Sequence, residues 1–153
     1  MAGMHKADLF DRKVRLHIYR HFIRTGRAPS HAETARAVSR PTREVRAAYR
    51  RLARRHTIVL QEGTDEILRA APFWALPTRF HVEVGRRFYW GSCIWDALGI
   101  PILLGKNARI VTGCGCCDRA MVLEVHNGAI KNPHGVVHIA VAARHWYDNV
   151  VFT

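Results

Sequence analysis

No apolar run in this chain approaches the roughly 20 residues that a membrane-spanning helix needs. The longest, residues 100–104 and 136–143, stop far short of it. The opening residues, MAGMHKADLF, contain no apolar core of a secretory leader. A cytoplasmic protein that does not engage membranes is therefore expected. Cysteine is scarce, at four residues, and in a reducing compartment four thiols serve as free groups or metal ligands before they serve as disulfides. Two separated Cys-x-x-Cys knuckles, the usual mark of a closed zinc site, are absent. So are internal repeats and low-complexity stretches.

Acidic residues are missing from one part of the chain in particular. Residues 1–56 carry 15 Lys and Arg against 4 Asp and Glu, whereas residues 57–153 carry 9 against 8, so that nearly all of the formal +12 sits in the first third. This asymmetry implies two segments with different tasks. With 153 residues, 48% of them apolar, there is enough material for one ordinary domain or two small ones, folding without staples.

The basic segment reads as three helices and a hairpin. Val14, Ile18 and Phe22 recur at a spacing of four, predicting a helix over residues 8–24. Ser30 and Glu33 form a capping-box pattern opening a short helix over 32–38. Pro41 starts a third helix that buries Val45, Ala48, Tyr49 and Leu52 and turns Arg43, Arg46, Arg50 and Arg54 to the opposite side. Residues 57–60 and 67–70 read as two strands around a glycine-containing turn. That order is the order of a winged helix-turn-helix, and its arginine face is the candidate nucleic-acid surface. A solvated basic face on a scaffold is the alternative, because fold alone does not assign function. The first domain is placed at residues 1–70.

Residues 71–77, with two prolines and no clear period, read as a linker, and the second domain as residues 78–153. Strands are expected over residues 79–85, 108–112, 120–126 and 136–142, with turns at Asn127-Gly128 and at Asn132-Pro133-His134-Gly135. A turn leads into a short helix over 93–98, ended by Gly99 and Pro101. The expected class is α+β: a winged helix-turn-helix followed by a small mixed sheet carrying a central short helix.

Chemistry concentrates between residues 85 and 105. Phe88, Tyr89, Trp90 and Trp95 crowd Cys93 and Asp96, two residues one helical turn apart. A thiol at a helix start is favoured as thiolate, and a carboxyl among apolar side chains is suited to holding and releasing a proton. An inert buried cysteine and a surface aspartate are the bland alternatives. Cys114, Cys116 and Cys117 lie in a glycine-flanked loop able to offer soft sulfur ligands. His126, His134, His138 and His145 show no ligand spacing.

The stretch GRRFYWGSCIWDALGIPILLGKNARIVTGC, residues 85–114, resembles the core of the alkylmercury (organomercurial) lyase family. Its order is an aromatic-rich segment, Cys-x-x-Asp, a Leu-Leu-Gly step, an Ala-Arg strand and a further cysteine. The family also carries a winged-helix-like region before this core. The resemblance implies a lyase that breaks the carbon–mercury bond of an organomercurial, releasing hydrocarbon and leaving Hg(II) as bound product, with no organic cofactor. By it, Cys93 is the first mercury-binding cysteine, Asp96 the proton-handling carboxyl and Cys114 a structural or auxiliary thiol. Free thiols or a mercury-acceptor protein would carry the product away, as mercury resistance requires. The family's second catalytic cysteine follows a segment resembling residues 146–153, and this sequence has no cysteine after Cys117. Three readings stay open: a shortened chain, a second thiolate supplied by Cys116 or Cys117, or a metal-binding or DNA-binding regulator on the same scaffold.

Overall fold

A computed structural model describes residues 6–131, 133 and 135–149. The chain divides into two compact units, residues 1–71 and 72–153.

In the first unit, α1 (Lys6–Thr25), α2 (His31–Val38) and α3 (Thr42–Arg54) precede a hairpin of β1 (Val59–Leu60) and β2 (Ile67–Ala70). The helical stripes anticipated from spacing form its core, with Val14, Ile18, Phe22, Val45, Ala48 and Tyr49 fully enclosed. Ser30 and Glu33 make the reciprocal capping box that starts α2. Inside, the Tyr49 hydroxyl meets the Thr34 hydroxyl at 2.7 Å, and burial raises the phenol to about 12. The carboxylate of Asp11, 2% exposed, is gripped by Arg51, whose Nη2 donates at 2.6 Å and ties α1 to α3. A buried charge so placed is held because both its oxygens are occupied. The hairpin turn is pinned to the helices by Arg50 to Asp65 at 2.7 Å and His31 to Glu66 at 2.9 Å.

The second unit contains β3 (Phe73–Trp74), β4 (Phe80–Val84), β5 (Arg87–Gly91), α4 (Ile94–Leu104), β6 (Ala108–Gly113), β7 (Ala120–His126) and β8 (Ala129–Lys131). Its strands lie in the order β3-β5-β4-β6-β7-β8, and every neighbouring pair is antiparallel. The expected mixed sheet is thereby corrected. β4–β5, β6–β7 and β7–β8 are joined by tight turns, and the one helical crossover, β5-α4-β6, straddles β4 and so creates no parallel neighbours. One face buries Val82, Val84, Tyr89, Ile110, Leu123 and Val125. α4 packs on β4, β5 and β6 and buries Ala97, Ile100 and Pro101.

Four local expectations are revised. Phe73 and Trp74, placed in a linker, form a strand and are buried, with Trp74 opposite Trp90. Residues 86–91, placed in a turn, are mostly β5, because Gly85 at φ 61° reverses the chain early enough for Arg87 to pair with Val84. The central helix is not short: it runs through Gly99 and Pro101 to Leu104 and ends at left-handed Gly105, φ 59°. Burial of Ile100 and Pro101 outweighs the hydrogen bond that the proline removes. Residues 136–142 form no strand, and Val136 is 93% exposed. The Asn127-Gly128 turn is present, with both residues at positive φ. Asn132 and His134 of the second expected turn lie outside the described residues.

Candidate functional site

Both thiol-bearing segments leave the sheet at one end. β5 and β6 flank β4 on opposite sides and run against it, Gly91 lying opposite Phe80 and Val111 opposite His81. Each therefore heads toward the start of β4. Cys93 follows β5 by two residues and Cys114 follows β6 directly. With β4 between them, the two exits are separated by two strand spacings, about 10 Å. The start of β4 holds both. Thr78 donates its hydroxyl to the Gly91 carbonyl at 2.7 Å, and Arg79 donates to the Asp118 carboxylate in the cysteine loop at 2.7 Å. Gly113 lies against that arginine: a Cβ there would sit 2.8 Å from Arg79 Nη2 and push the guanidinium aside.

Cys93 is the residue that caps α4 at its N-terminus, in an extended conformation with φ −147°, and its side chain makes no capping hydrogen bond. It is partly buried and free. The thiol thus stands at the helix entrance, beside the backbone N–H groups of the first turn. Asp96, in the first turn of α4, is 3% exposed. Ser92 donates its hydroxyl to Asp96 Oδ2 at 2.5 Å. Ser92 had no part in the sequence reading, although its spacing of four from an aspartate in a helix start is a signal of such a contact. The first turn of α4 is pressed against the sheet at Gly91, where a Cβ would lie 2.8 Å from the Ala97 nitrogen. The adjacent Trp95 is 62% exposed.

The second cluster is the loop after β6. The Cys114 N–H bonds the Arg119 carbonyl at 2.9 Å and the Asp118 N–H bonds the Cys114 carbonyl at 3.0 Å, closing a tight turn with Asp118 at φ 53°. The sulfurs of Cys114, Cys116 and Cys117 lie within 4.8 Å of one another, and those of Cys114 and Cys116 are 3.2 Å apart. Cys114 receives hydrogen bonds from the backbone and thiol of Cys116 and from Cys117, which bring it down to about 7. The thiol of Cys116, donating to that sulfur, is pushed up. Among the described residues these three are the only group of three or more Cys, His, Asp or Glu side chains close enough to share a metal ion, and Cys93 is not one of them. His126 lies beside Glu124 and His145 beside Asp148, whereas His134 is outside the described residues.

Arg43, Arg46, Arg50 and Arg54 are exposed along α3, as their spacing implies. Arg50 is engaged with Asp65. With Arg46 it lines a polar cleft of about 420 Å³ bounded also by His31 and by residues 63–66, which contains no thiol. Among the described residues no helix is long and apolar enough to cross a membrane.

Residues 73–153 match the family described as MerB, alkylmercury lyase. Among solved structures, the chain is similar to the mercury-bound form of MerB2 with a TM-score of 0.61 and 20% identity, over 83% of this chain and 66% of that one. It thus spans just under two thirds of the length of that relative, and the likeness is one of fold. No curated protein matches the chain.

Proposed function

The chain belongs to the alkylmercury lyase family, and on that footing we propose that it cleaves the carbon–mercury bond of organomercurials. Cys93 holds the mercury of R–Hg⁺ through its thiolate. Asp96 takes up the proton that the Cys93 thiol gives off on binding mercury and delivers it to the carbon. The carbon–mercury bond breaks, its electron pair stays with carbon and takes that proton, and mercury remains on sulfur as Hg(II) throughout. Soft sulfur suits a soft metal, and the acid must sit beside it. The observation carrying this reading is the buried Asp96, anchored by Ser92 in the helix turn that Cys93 opens.

Within the same reading the first unit is a winged helix-turn-helix scaffold. The protein works in the cytoplasm in mercury resistance, without an organic cofactor, and free thiols or an acceptor protein remove Hg(II). The test is gas-chromatographic detection of hydrocarbon from an alkylmercury or arylmercury salt, with excess thiol present. Wild type should release hydrocarbon and Cys93→Ser none above background, because a hydroxyl is too hard a ligand for mercury. Equal release from both would end the proposal.

A further inference from the structure

Three sulfurs brought within 4.8 Å of one another by a four-residue stretch are closer to a coordination shell than to a random cluster. With metal–sulfur bonds of roughly 2.3 Å, the zinc–thiolate value, a trigonal ion spaces its sulfurs about 4 Å apart. Here Cys114 and Cys116 lie 3.2 Å apart and no pair exceeds 4.8 Å, so shifts on the order of 1 Å would close all three on one ion. The loop that holds them is built rather than loose. Cys114 is fixed to Arg119 and Asp118 through backbone hydrogen bonds, and Asp118 is fixed to Arg79 at the start of β4. Among the described residues no histidine or carboxylate joins the three. Three thiolates with no fourth protein ligand suit a soft ion content with three sulfurs better than a closed tetrahedral zinc site.

We propose that Cys114, Cys116 and Cys117 form a self-contained three-thiolate receptor for one soft metal ion, separate from the Cys93–Asp96 pair. Its cargo, which rests on the lyase reading above, is the Hg(II) that the reaction leaves behind. In loading, three thiols give three protons to solvent, three sulfur–mercury bonds form, and the water or small thiols previously on the ion depart. Mercury stays Hg(II) and nothing is oxidised. The receptor needs neither Cys93 nor Asp96, and it takes Hg²⁺ offered directly.

The experiment is an anaerobic titration of the reduced full chain with Hg²⁺, against a competing small thiol, followed by ultraviolet thiolate-to-metal absorption. Cys93→Ser should bind one Hg²⁺ with the absorption of three sulfurs and an affinity within a few fold of wild type. In that background Cys114→Ser should lose the three-sulfur absorption and more than about 100-fold in affinity, beyond the 10- to 100-fold typical of outer-shell changes. Joint replacement of Cys116 and Cys117 by Ser should abolish the site. Loss of tight Hg²⁺ binding in Cys93→Ser, or an unchanged spectrum in Cys93→Ser/Cys114→Ser, would overturn the proposal. Hydrocarbon release separates the two readings. A wild type that makes no hydrocarbon while Cys93→Ser retains the three-sulfur site removes the lyase reading and leaves the receptor standing.

Discussion

Ser92 and Asp96 face each other across the first turn of α4, the serine hydroxyl donating at 2.5 Å to a carboxylate that is 3% exposed. This contact fixes one carboxylate oxygen and so orients the other. It also gives a buried polar group the partner that burial demands.

Asp96→Asn should leave mercury on Cys93 while slowing hydrocarbon release by about 10²- to 10⁴-fold, the usual contribution of positioned proton transfer. Ser92→Ala should give a smaller loss of rate with no loss of Hg²⁺ affinity, and should cost about 1–3 kcal/mol of stability through the lost hydrogen bond to a buried carboxylate. Single-turnover hydrocarbon release and denaturant unfolding measure the two effects. A Ser92→Ala protein with wild-type rate would show that the serine only packs.

Gly91→Ala tests how closely α4 must approach the sheet. The added Cβ would meet backbone atoms, Ala97 N at 2.8 Å and Cys93 O at 3.2 Å, and neither can rotate away. The helix start must shift, at about 1–3 kcal/mol, and Cys93 and Asp96 move with it. We expect a lowered melting temperature and a rate loss larger than that of Gly115→Ala, whose Cβ would meet nothing within 4 Å.

Cys114 should react with iodoacetamide before Cys116, with an apparent midpoint near pH 7, because its neighbours' hydrogen bonds bring it to about 7 while raising Cys116. The sign for stability follows. A thiol whose folded value lies below its unfolded one contributes stability above the unfolded value, near the ordinary 9, and loses it as pH falls through about 7. Hg²⁺ affinity should fall over the same range, since protons compete for the sulfurs. Mass-spectrometric mapping of alkylated cysteines across pH 5–9 reads the order of reaction. Cys116→Ala should raise the Cys114 midpoint.

The charge imbalance of the first 56 residues predicts weak, sequence-independent binding to DNA that falls steeply with salt. Arg43, Arg46 and Arg54 are exposed on α3 and have no ion-pair partner among the described residues, whereas Arg50 is engaged with Asp65. Replacing Arg43, Arg46 and Arg54 by Ala should therefore lower the slope of log affinity against log salt by about 2–3. An absence of binding at low salt would leave the first unit as scaffold.

Much of this was legible in the sequence where one face of an element is buried. The stripes of α1 and α3 show a 3.6-residue period because their other faces meet water, and Ser30 with Glu33 announces α2 by chemistry local to four residues. The strand β5 was hidden because Phe88, Tyr89 and Trp90 are all aromatic, although only Tyr89 points into the core and Phe88 is 56% exposed; alternation of burial leaves no trace when both faces carry rings. Gly99 and Pro101 read as stop signals because their cost is local, while the burial that outweighs it comes from sheet residues far along the chain. Cys93, Asp96 and the three loop cysteines could be picked out by residue type. Thr78 and Arg79 could not, since their roles exist only once β4 lies between β5 and β6, whereas the spacing of Ser92 from Asp96 is a local signal.

Arg79 and Thr78 have an implication for how such a site can diversify. Because the span between the two exits is set by backbone pairing across β4, the helix entrance and the cysteine loop are anchored independently, each by one side chain of a shared strand end. A loop can then gain, lose or reorder its thiols without disturbing the turn that seats Asp96, and the helix start can be altered without unravelling the loop. The arrangement is modular: the thiols of one anchor can vary while the carboxyl seated at the other stays in place.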